Sequence, residues 1–167
     1  MEVLLDSLQI YRISPSIFTP PMPDWQQHLL ETDTAISDLL ARVRSVAVLG
    51  IKTADSGAPA FYVPEFAQRA GLKIYPVPVY YPDVTEILGE PVVRSVRAID
   101  DRVDLVNVFR RAQDIPQHVD DILAARPRAV WFQLGIRNDE VAEELARNGI
   151  DVVQDRCLMV ELRNRGL

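Results

Sequence analysis

The sequence predicts an α/β fold, a doubly wound parallel sheet of about five strands with helices on both faces in three layers. Two observations carry this. Short β-branched runs, apolar on both sides, alternate with helical patterns of about ten residues, the mark of βαβ units. Glycines stand where those segments end, at Gly50, Gly71, Gly135 and Gly149. The length of 167 residues fits one ordinary domain that closes its core without a metal or disulfide.

In chain order, Thr32 or Asp33 caps a first helix, where Ile36, Leu39, Leu40 and Val43 recur at helical spacing. Residues 45–50 (SVAVLG) read as the first buried strand. Residues 60–70 form the next helix, closed by Gly71, and Pro64 suits it only near the first turn. Residues 72–77 (LKIYPV) are the second strand. A long connection over 78–96 carries Pro78, Pro82 and Pro91, with one helical turn near 84–88. Residues 104–109 (DLVNVF) are the third strand. The helix over 115–125 has Asp114 as its capping candidate and Pro116 in its first turn. Residues 129–134 (AVWFQL) are the fourth strand. Asn138 or Asp139 caps a helix that stops at Gly149, residues 150–153 are the fifth strand, and 157–165 are a final helix.

Residues 1–31 stand apart as a proline-rich N-terminal extension, with Pro15, Pro20, Pro21 and Pro23 close together. Proline lacks the N–H that helices and ladders use, so this stretch is extended and irregular. It reads as an arm lying over the domain of residues 32–167, anchored by Ile17, Phe18 and Trp25. The alternative is a segment that meets a protein partner or a second copy of the chain.

A net charge of −6 and a pI near 4.9 argue against nucleic-acid binding. The lone Cys157 excludes an internal disulfide and a cysteine-based zinc cage. No apolar run reaches about 18 residues, so no membrane span is expected. The first ten residues hold Glu2 and Asp6 and no basic side chain, unlike a secretory leader. The expected location is the cytoplasm.

Ligands of open parallel sheets bind beyond the carboxyl ends of the strands. The loop after Gly50 is the most telling of these places. It reads as backbone N–H groups and a helix N-terminus aimed at a phosphate, with Lys52 and Thr53 adding a cation and a hydroxyl. A plain surface loop is the other reading. Arg110 and Arg111 follow the third strand and suit either an anionic ligand or a structural role. There is no G-x-G-x-x-G, and Gly50-Ile51-Lys52-Thr53 lacks the spaced glycine of a P-loop. The second strand ends in Val77-Pro78-Val79-Tyr80-Tyr81, without the carboxylate that holds the ribose of NAD. The pattern suits a phosphate-bearing nucleotide other than NAD. His28 and His118 make no metal site, and none is expected. Cys157 stands at the mouth of the last helix, a position that suits a reactive thiol; a packing cysteine is the alternative.

Five stretches in order resemble the stand-alone CoA-binding proteins of bacteria and archaea, whose domain is similar to the CoA-binding domain of the succinyl-CoA synthetase alpha subunit. They are Val46-Ala47-Val48-Leu49-Gly50, Leu88-Gly89-Glu90-Pro91-Val92, the run 104–111 (DLVNVFRR), the run 131–136 (WFQLGI) and Asp155-Arg156-Cys157. Order and spacing match over residues 32–163. The resemblance implies a Rossmann-like domain that holds coenzyme A or acyl-CoA across the carboxyl edge without catalysis. It implies Gly50, Ile51, Lys52 and Thr53 along the pyrophosphate, and Val77, Pro78 and Val79 beside the adenosine. Val108, Phe109, Arg110, Gln133, Leu134 and Gly135 line the rest. This chain departs from the family where Asn-Pro and a later Lys usually follow strand two, and where Ala60 replaces a serine. No second domain with a phosphohistidine loop is present, so ligase activity is not expected. The rival reading is an enzyme, either an NAD-type reductase or a thiol or acyl exchanger using Cys157.

Overall fold

The computed structural model describes residues 24–167. Seven strands and five α-helices follow one another among these residues: α1 (Asp33–Leu40), β1 (Ser45–Leu49), α2 (Pro59–Arg69), β2 (Lys73–Val77), β3 (Glu86–Ile87), β4 (Glu90–Pro91), β5 (Leu105–Val108), α3 (Val119–Ala125), β6 (Ala129–Phe132), α4 (Asp139–Arg147), β7 (Asp151–Val153) and α5 (Leu158–Arg163). Five strands form one parallel sheet in the order β2-β1-β5-β6-β7. The chain leaves β1 toward β2 and then crosses back to β5 on the other side. The strand order therefore reverses between β1 and β5, and a crevice opens at their carboxyl ends.

The pleat divides the core into two layers. Val46, Val48, Leu105 and Trp131 face α1, α2 and α5. Ala47, Leu49, Val106, Val108 and Phe132 face α3 and α4. Trp131 and Phe132 are fully buried on opposite faces of β6, which is why that strand is apolar on both sides.

Caps fall where short polar side chains sit. The Thr32 hydroxyl accepts the Ala35 N–H at 3.2 Å, and Asn138 Oδ1 accepts the Val141 N–H at 3.0 Å. Gly50, Gly71, Gly135 and Gly149 all have positive φ. Three expectations need correction. Residues 84–88 contain no helical turn. They enter the two-strand hairpin β3–β4, whose turn residues Leu88 and Gly89 both have positive φ, 58° and 73°. Pro64 lies well inside α2, which starts at Pro59. Asp114 does not cap a helix. Two 3₁₀ turns occupy 112–118 before α3, and the Asp114 carboxylate accepts from Arg111 Nε at 2.6 Å.

The anchors Ile17 and Phe18 and the four clustered prolines lie outside the described residues. Trp25–His28 is a 3₁₀ turn, and Leu29 bridges Val152 of β7 in parallel, with the Leu30 N–H donating to the Val152 carbonyl at 2.8 Å. The last part of the extension thus lies along the β7 edge, covering backbone groups that an open edge would expose. Arg147 stacks over the Trp25 ring at 4.6 Å, and His28 Nδ1 meets Asp151 at 2.7 Å.

Candidate functional site

The loop leaving β1 is pinned by its own backbone. The Gly50 N–H donates to the Val77 carbonyl at 2.8 Å, Ile51 to Val48 at 3.4 Å and Lys52 to Ala60 at 3.2 Å. The last bond exists because of Pro64. In a regular helix the residue four positions on would donate to the Ala60 carbonyl, but proline has no N–H to give. The vacant acceptor holds the loop instead. The amides of Gly50, Ile51 and Lys52 are therefore used inside the fold, and the anion-binding capacity of this loop falls to the Lys52 ammonium and the start of α2. Ile51 is buried, and Thr53 hydrogen-bonds Asp55.

Gly50 lies against the end of β5. With φ at 86°, a Cβ there would collide with the Phe109 carbonyl oxygen and sit 3.2 Å from Arg110 Cδ. The missing side chain is what lets the β5 loop close over the β1 loop at the crevice. Arg110, 10% exposed at the side chain, lies over this junction with weak partners only: Asp114 at 3.7 Å and the Tyr80 hydroxyl at 3.5 Å. Its Nε is buried with no partner. The exposed Arg111 takes Asp114 at 2.6 Å and holds that carboxyl below its ordinary pKa. A nearly buried guanidinium so weakly matched keeps charge and donors available to an anion.

A groove of about 590 Å³ opens on the α2 and α5 side of the crevice. It brings together Lys52, Phe109, Arg110, Gln133, Leu134 and Gly135 from the sequence reading, and adds Pro59, Tyr62, Val63, Ile136 and Cys157. Its far rim is braced by Asp155, whose carboxylate accepts the Gly135 N–H at 2.6 Å. Trp131 Nε1 also donates to the Arg156 carbonyl at 2.7 Å, fixing the turn that carries Cys157. Beneath, Gln133 Nε2 donates to Asn107 Oδ1 at 2.9 Å, while Asn107 Nδ2 is buried and unpartnered. Sequence reading passed over Asn107; a lone amide in the run LVNV was the available signal.

Val77, Pro78 and Val79 stand elsewhere. With Leu49, Tyr80, Arg94, Ser95, His118 and Asp121 they line a second groove of about 370 Å³ on the α3 side. Val108 is buried and lines neither groove, nor do Gly50, Ile51 and Thr53. Tyr80 and Arg110 stand between the two spaces, the guanidinium 5.7 Å from the ring centre, and Arg110 lowers the phenol pKa by hydrogen bonding. Burial, then the Arg110 charge, lowers the pKa of His118, which is therefore neutral at pH 7.

Among the described residues no helix is long and apolar enough to cross a membrane, and no three His, Cys, Asp or Glu side chains cluster as metal ligands. Known proteins offer close parallels. The sequence profile described as CoA binding domain matches residues 44–163. Over 125 residues the chain is 33% identical to the uncharacterized protein YneT of Bacillus subtilis (strain 168), covering 75% of this chain and 90% of that protein. The structure described as cell-free ID.343 from Thermus thermophilus superposes with a TM-score of 0.73 at 37% identity, over 80% of this chain and 98% of the other. A hypothetical protein from Pyrococcus horikoshii OT3 gives 0.73 at 27% identity, over 80% and 92%.

Proposed function

This chain belongs to the CoA-binding domain family, and from that membership we propose that it holds coenzyme A or an acyl-CoA across the carboxyl edge of the sheet without transforming it. The observation that carries this reading is Arg110, an almost buried guanidinium with an unpartnered Nε at the β1/β5 crevice, where Gly50 lets the β5 loop close against the β1 loop. The residues fit the group. Lys52, Arg110 and the start of α2 would meet the pyrophosphate, with Gly50, Ile51 and Thr53 shaping the loop beneath it. Val77, Pro78 and Val79 would flank the adenosine. The groove of Phe109, Gln133, Leu134 and Gly135, with Val108 behind it, would take the pantetheine arm toward Cys157.

Binding without chemistry is favoured because neither His28 nor His118 lines the groove that holds Cys157, which leaves the thiol without an imidazole base. The rival reading, thiol or acyl exchange at Cys157, would show an acyl adduct on that residue in intact-mass spectra during turnover. We place the protein in the cytoplasm, where a lone free thiol persists, and leave residues 1–31 as its candidate surface for a protein partner or a second copy.

The test is ligand-dependent melting. A ligand at 100 times its Kd adds about 2.7 kcal/mol to the folded state. That corresponds to a rise of about 5–10 °C for a chain of this length. CoA should produce it and NAD should not. A large shift with NAD and none with CoA would reverse the assignment toward the reductase.

A further inference from the structure

The groove beyond β2 is chemically unlike the one it adjoins. Its floor is apolar, made by Leu49, Val77 and Pro78. Two of the three cations around it among the described residues, Arg94 and Arg97, are already committed to protein groups. Arg94 donates to the carbonyls of Tyr81 at 3.1 Å, Pro82 at 3.0 Å and Val84 at 2.5 Å. Arg97 Nε is held by Asp121 at 2.8 Å, and the same carboxylate accepts the Val96 N–H at 2.7 Å. The third, Arg110, leans against Tyr80 but has its stem over Gly50, at the crevice, where its charge would meet the pyrophosphate. The other polar groups are neutral: the Tyr80 phenol, whose oxygen meets Arg110 at 3.5 Å, the Ser95 hydroxyl and the buried, unpartnered His118 Nε2. Such a lining matches an uncharged heterocycle and sugar, which need an apolar slot and a few hydrogen-bonding groups. It offers nothing to a phosphate dianion, whose desolvation has to be offset by a cation or several N–H donors.

We infer that this groove takes the adenosine of the ligand as a neutral unit and does not read the 3′-phosphate, so that CoA and its 3′-dephospho form are bound alike. The inference rests on the CoA reading proposed above. It makes the ligand class wider than CoA itself: any pantetheine joined through pyrophosphate to adenosine.

Calorimetric titration of the whole chain with CoA and with dephospho-CoA decides it. The expected affinities agree within about threefold, whereas loss of a charge-assisted contact would separate them by about tenfold or more. Val79→Lys places an ammonium on the groove wall and should create a preference for CoA of about tenfold. A tenfold preference in the unaltered chain overturns the inference and leaves the CoA reading standing. Absence of any preference in a folded Val79→Lys chain also overturns it, because the nucleotide end then lies elsewhere. If neither ligand binds, the CoA reading fails and this inference with it.

Discussion

Two connections leave neighbouring strands at the same edge of the sheet and are organised in opposite ways. The loop after β1 is short and held by main-chain bonds: three successive amides find carbonyls on β2, β1 and α2. The connection after β2 is long and held by side chains. Arg94 gathers three of its carbonyls, and Gln68 Nε2 reaches from α2 to the Leu88 carbonyl at 2.9 Å. The first arrangement tolerates little change in backbone shape but almost any exposed side chain. The second depends on particular side chains and is free in its path. Lys52 and Arg110, the cations of the proposed ligand site, stand on the rigid side of the crevice, and neutral groups on the other.

The largest effect should come from Gly50→Ala. The new methyl would meet the Phe109 carbonyl oxygen at a backbone angle that disfavours any side chain. A cost of about 3 kcal/mol is expected, from strain of this kind. For a chain of this length that lowers the melting midpoint by about 6–12 °C. An unchanged midpoint would mean the two loops are not tightly opposed. Lys52→Ala comes next and leaves the fold intact. It should weaken CoA binding by about 1–3 kcal/mol if its ammonium meets the pyrophosphate. Calorimetric affinity equal to that of the unaltered chain would remove Lys52 from the site.

Arg94→Ala tests the other connection. Its bonds are solvent-exposed, so a loss of only about 1 kcal/mol is expected. Faster amide exchange should be confined to 81–92, and exchange changes around Gly50 would contradict the division between the two connections. The smallest effect is in pH dependence. His118 titrates below the ordinary 6.5, first because burial disfavours its charged ring and then because of Arg110. Between the folded and unfolded pKa values the unfolded chain binds more protons, so this contribution is present above pH 6.5 and is lost as pH falls through the folded value. His118→Gln should flatten denaturation midpoints below pH 6.5, and a slope that stays the same would show that His118 does not carry this pH dependence.

The strands of the large sheet were legible because each is apolar on both faces and ends in a glycine or a turn. The bonds that arrange the connections were not. Val84, Ile87 and Leu88 have helix-like spacing, and only the left-handed conformation of Leu88 shows that Leu88-Gly89 closes a hairpin usually built from Asn-Gly. Asp114 precedes a helix and has the composition of a cap, but a neighbouring guanidinium competes for its carboxylate. At the site, the positions of Lys52, Arg110 and Gln133 on one groove follow from strand order, which the sequence suggests through its alternation. That Val77, Pro78 and Val79 occupy a separate groove depends on how Tyr80 and Arg110 stand between them, a side-chain arrangement with no periodic trace.

Pro64 gives helix α2 and the β1 loop a shared acceptor, and this has a kinetic side. The Lys52 amide proton is protected by a helix carbonyl, not by the sheet on which its neighbours depend. Its exchange with solvent deuterium should follow fraying of the first turn of α2 and stay uncoupled from opening of β1 and β2. A ligand that settles on the start of α2 would slow that one proton more than those of Gly50 or Ile51. Pro64→Ala would supply a rival donor for the same oxygen. A substitution chosen to improve helix propensity would then speed solvent exchange at a residue twelve positions away.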